Sequence, residues 1–139
     1  MRHLADTSFL VALTNPRERH HGACVEVAQS ARAQIAVPIT VLPEAAYLLH
    51  ARIGHAVMRA FLAELSQPSW EILGVEVADL ARSNEILAQY ADSELDFVDA
   101  TLVALAERLN ITTILTLDQR HFRAVRPRHS PHFEILPRA

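Results

Sequence analysis

Four acids stand at places in this chain where a carboxylate can do chemistry: Asp6, Glu44, Asp99 and Asp118. Brought together, three or four carboxylates repel one another and at neutral pH need either protons or a cation. A donor set of oxygens alone selects a hard ion, Mg2+ or Mn2+, over zinc. An ion so held activates water and clamps the oxygens of a phosphodiester during in-line displacement, with no separate histidine base required. Each acid also has a plain structural reading. Asp96 reads as the N-cap of a helix with Asp99 at its third position, a loose capping box, and Asp118 as the cap of the turn Gln119-Arg120-His121. Glu44 is the least ordinary of the four. It shares a helical stripe with Val41 and Leu48, where a carboxylate is costly unless it is paired or chelates something. A salt bridge to an arginine such as Arg52 is its structural alternative.

The elements that must position these acids follow from the apolar pattern. Val98, Leu102, Leu105 and Leu109 recur at helical spacing after Asp96, and the uncharged, β-branched run 111–117 reads as a strand covered on both faces. Upstream, residues 2–5 form a short strand ending at Asp6, and Thr7 or Ser8 can cap a helix through Leu13 that Asn15-Pro16 stops. A helix from about His20 to Ser30 leads to a strand at 34–37. Thr40 caps a helix to about Arg52, with Pro43 tolerable in its first turn. Gly54 separates it from a helix over 55–65, followed by a strand at 70–73 and a helix over 77–90 with Leu80, Asn84, Leu87 and Tyr90 near one face. The segment 119–132 is irregular and basic, and 133–136 is a last edge strand.

Strands alternating with helices imply a mostly parallel sheet with helices on both faces, an α/β fold. In such a sheet the carboxyl ends of strands and the N-termini of helices share one edge, where sites form. Asp6 and Asp118 each end a strand; Glu44 and Asp99 each sit in or near the first turn of a helix. Acids dispersed over more than a hundred positions thereby meet at one edge.

Composition narrows the alternatives. A chain of 139 residues with 50% hydrophobic content is expected to form one domain over 1–139 with a real core. Cys24, the single cysteine, has no partner for a disulfide or a thiolate metal site and reads as a small buried residue in a reducing cytosol. No apolar stretch approaches the roughly 20 residues of a membrane span, and Asp6 falls where a signal peptide needs its apolar core. The protein is therefore expected to be soluble and cytoplasmic. The net charge of −3 argues against a broad nucleic-acid-coating surface, but it is unevenly spread. Residues 119–139 carry five arginines against Glu134, which makes that segment +4 and the rest of the chain −7. Such a basic end is compatible with phosphate contact, and equally with a solvated terminal segment. The eight histidines show no His-x-x-x-His spacing for zinc, and the glycine-rich nucleotide loops and the nucleophile elbow are absent.

Asp6-Thr7-Ser8 after the first strand, Glu44 in a helix after the second, Asp99-Ala100 opening a helix, and Thr116-Leu117-Asp118 with Phe122 beyond resemble the PIN-domain nucleases. The ending Asp118-Gln119-Arg120-His121-Phe122 and the chain length are similar to the VapC toxins of bacterial toxin-antitoxin pairs. The resemblance covers nearly the whole chain. It implies a three-layer α/β/α fold and a Mg2+- or Mn2+-dependent endoribonuclease held inactive by a cognate VapB-like antitoxin. By match to the motifs, Asp6 and Asp99 are the most direct metal ligands, and Glu44 and Asp118 complete the cluster or act through water. Thr7 and Thr116 fall at hydroxyl positions that orient the acids or a bound water. Asp96 matches a more variable position and is an extra acid or the helix cap. Two rivals stand beside this reading. A PIN-like module that binds RNA or protein without cutting is disfavoured, because a decayed site is expected to lose at least one acid. A phosphatase or phosphoacceptor lacks its second aspartate and its lysine, since the chain has no lysine at all. The RNA cut, the number of metals and the oligomeric state are left open, a homodimer included. Phe9, Leu10 and Leu13 read as core, or else as a partner surface.

Overall fold

A computed structural model describes residues 2–31 and 34–138. A five-stranded sheet in the order β3-β2-β1-β4-β5 lies at its centre, and every neighbouring pair is parallel. The strands are β1 (His3–Ala5), β2 (Ile35–Pro38), β3 (Glu71–Leu73), β4 (Thr113–Leu115) and β5 (Glu134–Leu136). The helices are α1 (Thr7–Thr14), α2 (His21–Ala31), α3 (Leu42–Arg52), α4 (His55–Leu65), α5 (Val77–Gln89), α6 (Phe97–Leu109) and the short α7 (Gln119–Arg123). They cover the sheet as a three-layer α/β/α sandwich.

The chain starts in the middle of the sheet, steps outward to β2 and β3, then crosses back to lay β4 on the other side of β1. The strand order therefore reverses between β1 and β4. In an open parallel sheet that is where the crevice at the carboxyl ends opens, because consecutive connections leave in opposite directions.

Burial follows position in the sheet. Leu4, Ala5, Ile35, Ala36, Val37, Ile114 and Leu115, in the three inner strands, are all buried, while the edge strands expose Glu71 and Glu134. Only 113–115 of the uncharged run 111–117 has strand pairing, although 113–116 is wholly buried. Helix α6 is covered more fully than a single apolar stripe predicts, since Asp99 to Ala106 are buried without a break. Three alanines in that stretch let neighbouring backbones approach on several sides. Asn110 then ends α6 in the left-handed conformation with φ 56°, and the Ile111 amide returns to the Ala106 carbonyl at 2.9 Å, a helix stop that turns the chain into β4.

Several local expectations change. Asp6, not Thr7 or Ser8, is the N-cap of α1, accepting from the Thr7 amide at 2.8 Å. Helix α3 begins at Leu42 after a 3-10 turn over Ile39–Val41. Thr40 lies in that turn with its hydroxyl 2.9 Å from that of Thr101 in α6, so it ties two helices together rather than capping one. The buried face of α5 is Asp79, Ser83 and Ile86, and Leu80 is exposed. Asp79 can be buried because Arg108 of α6 donates to both its oxygens at 2.9 Å. Burial pulls its pKa upward, but the hydrogen bonds from Arg108 and the Glu76 amide, with the Arg108 charge, hold it below the ordinary range. Phe9 and Leu10 are core and Leu13 is half-buried. Leu10 and Leu13 also line an apolar cavity of about 570 Å3 bounded by α1, α2 and α4, which none of the four acids reaches. No helix among the described residues is long and apolar enough to cross a membrane.

Candidate active site

Asp6 follows β1 and Thr116 follows β4, so both sit at the carboxyl ends of the two strands between which the order reverses. The strand ladder extends to them: the Asp6 amide donates to Leu115 at 2.9 Å and the Thr116 amide to Leu136 at 2.9 Å. The Thr116 hydroxyl donates to Asp6 Oδ2 at 2.8 Å and accepts from the Asp118 amide at 3.0 Å. Ser8 completes this small network, with its hydroxyl 3.2 Å from that of Thr116 and accepting from the Leu117 amide at 2.9 Å. The Asp6 carboxylate is thus fixed by Thr7 on one oxygen and Thr116 on the other. Thr7 contributes its amide, while its own hydroxyl is buried without a hydrogen-bond partner.

Asp99 arrives from α6. It forms a full capping box with Asp96: the Asp99 amide donates to Asp96 Oδ1 at 2.9 Å, and the Asp96 amide to Asp99 Oδ2 at 3.2 Å. The structural reading of this pair is therefore correct in its geometry, and it is incomplete. Asp99 is also buried, whereas Asp96 is exposed, and its Oδ2 lies 3.0 Å from His121 Nδ1 on α7. That contact is not a hydrogen bond, and the His121 Nδ1 atom is buried without a hydrogen-bond partner.

Electrostatics shows which acids share a neighbourhood. Burial pushes Asp6 up to about 6; the Thr116 and Thr7 hydrogen bonds pull the other way, and the charges of Asp118 and Asp96 add to the rise. Burial likewise pushes Asp99 up to about 7, with the Asp96 amide opposing, the charges of Asp96 and Asp6 adding, and His121 opposing. Asp6 therefore feels Asp118 and Asp96, and Asp99 feels Asp96 and Asp6. Asp118 occupies the N-cap position of α7 without a side-chain cap bond, so the turn does not account for it.

Glu44 differs. It lies in the first turn of α3, as expected, but is exposed; the buried stripe there is Val41, Ala45 and Leu49. The argument from a carboxylate inside an apolar stripe is corrected accordingly: the stripe runs one residue further round the helix and leaves Glu44 in solvent. It has no ion pair with Arg52, and its charge is not among those that shift Asp6 or Asp99.

Two residues in this network are not among the site residues expected from the sequence, although Ser8 is a candidate helix cap. Ser8 is two residues beyond Asp6, and His121 three beyond Asp118, one turn along the same short helix. Their signal is that spacing and their place in the motifs Asp6-Thr7-Ser8 and Asp118-Gln119-Arg120-His121-Phe122, and it is weak without the fold. Among the described residues no group of three or more His, Cys, Asp or Glu is gathered as a metal cage. The donor chemistry is nonetheless that of a hard ion. Mg2+ commonly binds through one or two carboxylates and keeps several waters, and Asp6 and Asp99, both buried and both raised in pKa, form such a pair.

The sequence matches the PIN domain family over residues 4–126. It is 35% identical over 134 residues to Ribonuclease VapC26 of Mycobacterium tuberculosis, covering 96% of this chain and 99% of that one. The structure superposes with a TM-score of 0.82 on VapC20 of Mycobacterium tuberculosis, described as a sarcin-ricin loop cleaving toxin, at 27% identity over 88% of this chain and 94% of the other. VapBC2 from Rickettsia felis, solved with a promoter DNA fragment, shares the fold at a TM-score of 0.71 and 18% identity over 97% of each chain. The match across most of the sequence, joined to the shared sandwich, shows that this chain belongs to the PIN-domain family.

Proposed function

We propose that this chain is a Mg2+- or Mn2+-dependent endoribonuclease and the toxin of a toxin-antitoxin pair, acting in the cytoplasm and restrained by a VapB-like antitoxin. The observation that carries the reading is the pair of buried carboxyls, Asp6 and Asp99, raised to about 6 and about 7 at the reversal point of the sheet, in a chain 35% identical to a ribonuclease. Carboxyls kept this poorly solvated are destabilised when charged, a cost that proteins tolerate where a site requires it.

In this reading Asp6 and Asp99 hold the ion directly. Asp118 and Asp96 add negative charge around it, and Glu44 acts from the solvent side, through water. When bound, the ion neutralises the phosphodiester charge and supplies an activated water for in-line attack. The rest falls to the protein. Thr116 and the Thr7 amide fix both oxygens of Asp6, so that little ordering remains to be done at binding. The capping box fixes Asp99 at the positive end of α6, which tolerates its charge. The unpartnered Thr7 hydroxyl is a ready donor or acceptor for a water held beside the acids. The toxin role rests on the likeness to VapC20, which is described as a toxin.

The test is cleavage of a single-stranded or looped RNA by the purified protein. Cutting should require Mg2+ or Mn2+, stop in EDTA, and fall at least about 100-fold in Asp6→Asn and Asp99→Asn. Unimpaired cutting in EDTA would falsify the metal mechanism, and no cutting with either ion would remove the nuclease. Growth arrest on expression, relieved by a co-expressed antitoxin, tests the toxin role.

A further inference from the structure

The basic C-terminal segment has so far been given no task, and part of it lines a cleft of about 370 Å3 that Asp118 also lines. Three stretches wall the cleft: the turn from Leu117 to His121 after β4, Pro137 and Arg138 after β5, and His20 with Ala23 at the start of α2. Two of these walls are pinned together. The Gln119 side-chain amide donates to the Pro137 carbonyl at 2.6 Å, and Arg123 donates to Gln119 Oε1 at 2.8 Å. One end of the cleft is acidic, since Asp118 lines it and His121, also in its wall, touches Asp99. Its cationic groups are Arg120 and Arg138.

Those two guanidiniums are uncommitted, unlike the arginines of the seam between α5 and α6. Arg82 and Arg108 are each locked on a carboxylate at 2.7 and 2.9 Å in the seam between α5 and α6. Arg120 makes no hydrogen bond or ion pair with a described residue. Arg138 has one solvent-exposed contact to Glu134 at 3.5 Å, of a kind that contributes little and is readily exchanged. A cleft of this volume is at the small end of ligand sites, suited to one nucleotide and not to a folded helix. The Asp118 charge keeps a free anion away from the acidic end, so an anion in the cleft settles at the arginines.

We propose that this cleft seats the nucleotide next to the scissile phosphate of a single-stranded RNA, with Arg120 and Arg138 clasping the phosphate of that nucleotide. The inference rests on the ribonuclease reading above and adds the direction in which the strand leaves the acids: past α7 toward the end of β5. Guanidinium-phosphate contacts are charge-assisted and bidentate, and each phosphate neutralised contributes to the salt dependence of binding. The seat is indifferent to sequence at the phosphate; any base preference comes from the His20 wall.

Steady-state cleavage of a fluorescein-labelled single-stranded RNA in Mn2+, with KM and kcat separated and repeated over a salt series, tests this. The variants are Arg120→Gln/Arg138→Gln together, the charge-keeping Arg120→Lys/Arg138→Lys pair, and Arg59→Gln on α4, outside the cleft. All three alter exposed side chains, and thermal melts confirm that they fold. The Gln pair should raise KM about tenfold or more with kcat within about threefold, and lower the log-log salt slope by about 0.7, the share of one neutralised phosphate on a single strand. The Lys pair should restore the slope, and Arg59→Gln should stay within about twofold of the unaltered protein throughout. If the unaltered protein cuts but the Gln pair matches Arg59→Gln, the nuclease stands and the seat is wrong. A fall in kcat with KM and slope unchanged also overturns the seat, because the arginines would then serve the chemistry and not the strand. If the unaltered protein cuts no RNA with either ion, the ribonuclease reading falls and the seat falls with it.

Discussion

The Thr116 hydroxyl donates to Asp6 Oδ2 at 2.8 Å, joining residues 110 positions apart across the point where the strand order reverses. One hydroxyl thereby orients a buried carboxylate and, through its contact with the Asp118 amide, sets the path of the chain toward the next acid. Thr116→Val keeps the shape and removes both functions. We expect it to cost about 1–3 kcal/mol of stability, since Asp6 loses a donor while buried, and to weaken Mn2+ binding about 10- to 100-fold. Calorimetric titration with Mn2+ beside thermal melts checks this, and an unchanged Mn2+ affinity would show that Asp6 needs no such alignment.

Asp6 and Asp99 set the pH dependence of stability without metal. Their folded-state pKa values, about 6 and about 7, lie above the ordinary 3.8, so the folded protein binds more protons than the unfolded chain between those limits. Stability from these two groups is then fully present at and below the ordinary value and is lost as the pH rises through the folded values. Asp79 and Glu107 are shifted in the opposite direction, so their contribution is lost only at lower pH. In EDTA the Tm should fall from about pH 5 to about pH 8, and Asp99→Asn should flatten that fall. A Tm that climbs over this range, unaltered by the substitution, contradicts the assignment.

Asp99 serves both a cap and a site, and the two are separable. Asn retains an oxygen for the Asp96 amide, so Asp99→Asn should melt at the same or a higher temperature than the unaltered protein in EDTA at pH 8, where the repulsion is greatest. It should lose most of the stabilisation that Mg2+ gives by binding the folded state alone. A helix-start role alone predicts a loss of about 0.3–1 kcal/mol through the helix dipole and an unchanged Mg2+ response. Paired melts with and without Mg2+ distinguish the outcomes.

Glu44 is exposed, and its substitution should show it. Glu44→Gln should change stability by less than about 0.5 kcal/mol and reduce Mn2+ affinity only a few-fold, well short of the loss in Asp6→Asn. A loss as large as that of Asp6→Asn would mean that the first turn of α3 closes onto the ion when it binds.

The ion pair between the exposed Arg108 and the buried Asp79 lies outside the acid network. Arg108→Met leaves the Asp79 carboxylate buried without its main donor, and should destabilise the protein by about 1–3 kcal/mol with Mn2+ affinity unchanged. A parallel loss of metal affinity would tie the α5–α6 seam to the site.

The local elements were legible in the sequence wherever neighbouring residues cooperate. Gly54 divides α3 from α4 and Asn15 ends α1 where expected, because chain stops are decided by backbone conformation within a few residues. The alternation of strands with helices was enough to indicate a parallel sheet, and with it the edge where Asp6, Asp99 and Asp118 would lie. Long-range placement decided the rest. The sequence pattern supplies a helix face only to within about a residue, or 100° of rotation, and that difference moved Glu44 from a buried stripe into solvent and put Asp79 rather than Leu80 in the core. Tertiary structure alone brought His121 to Asp99, Ser8 to Thr116, and Arg138 to the cleft beside Arg120. Each of these contacts depends on which strands are neighbours and on where α7 leaves β4. Those relations arise from packing the whole sheet, and no local window of the chain contains them.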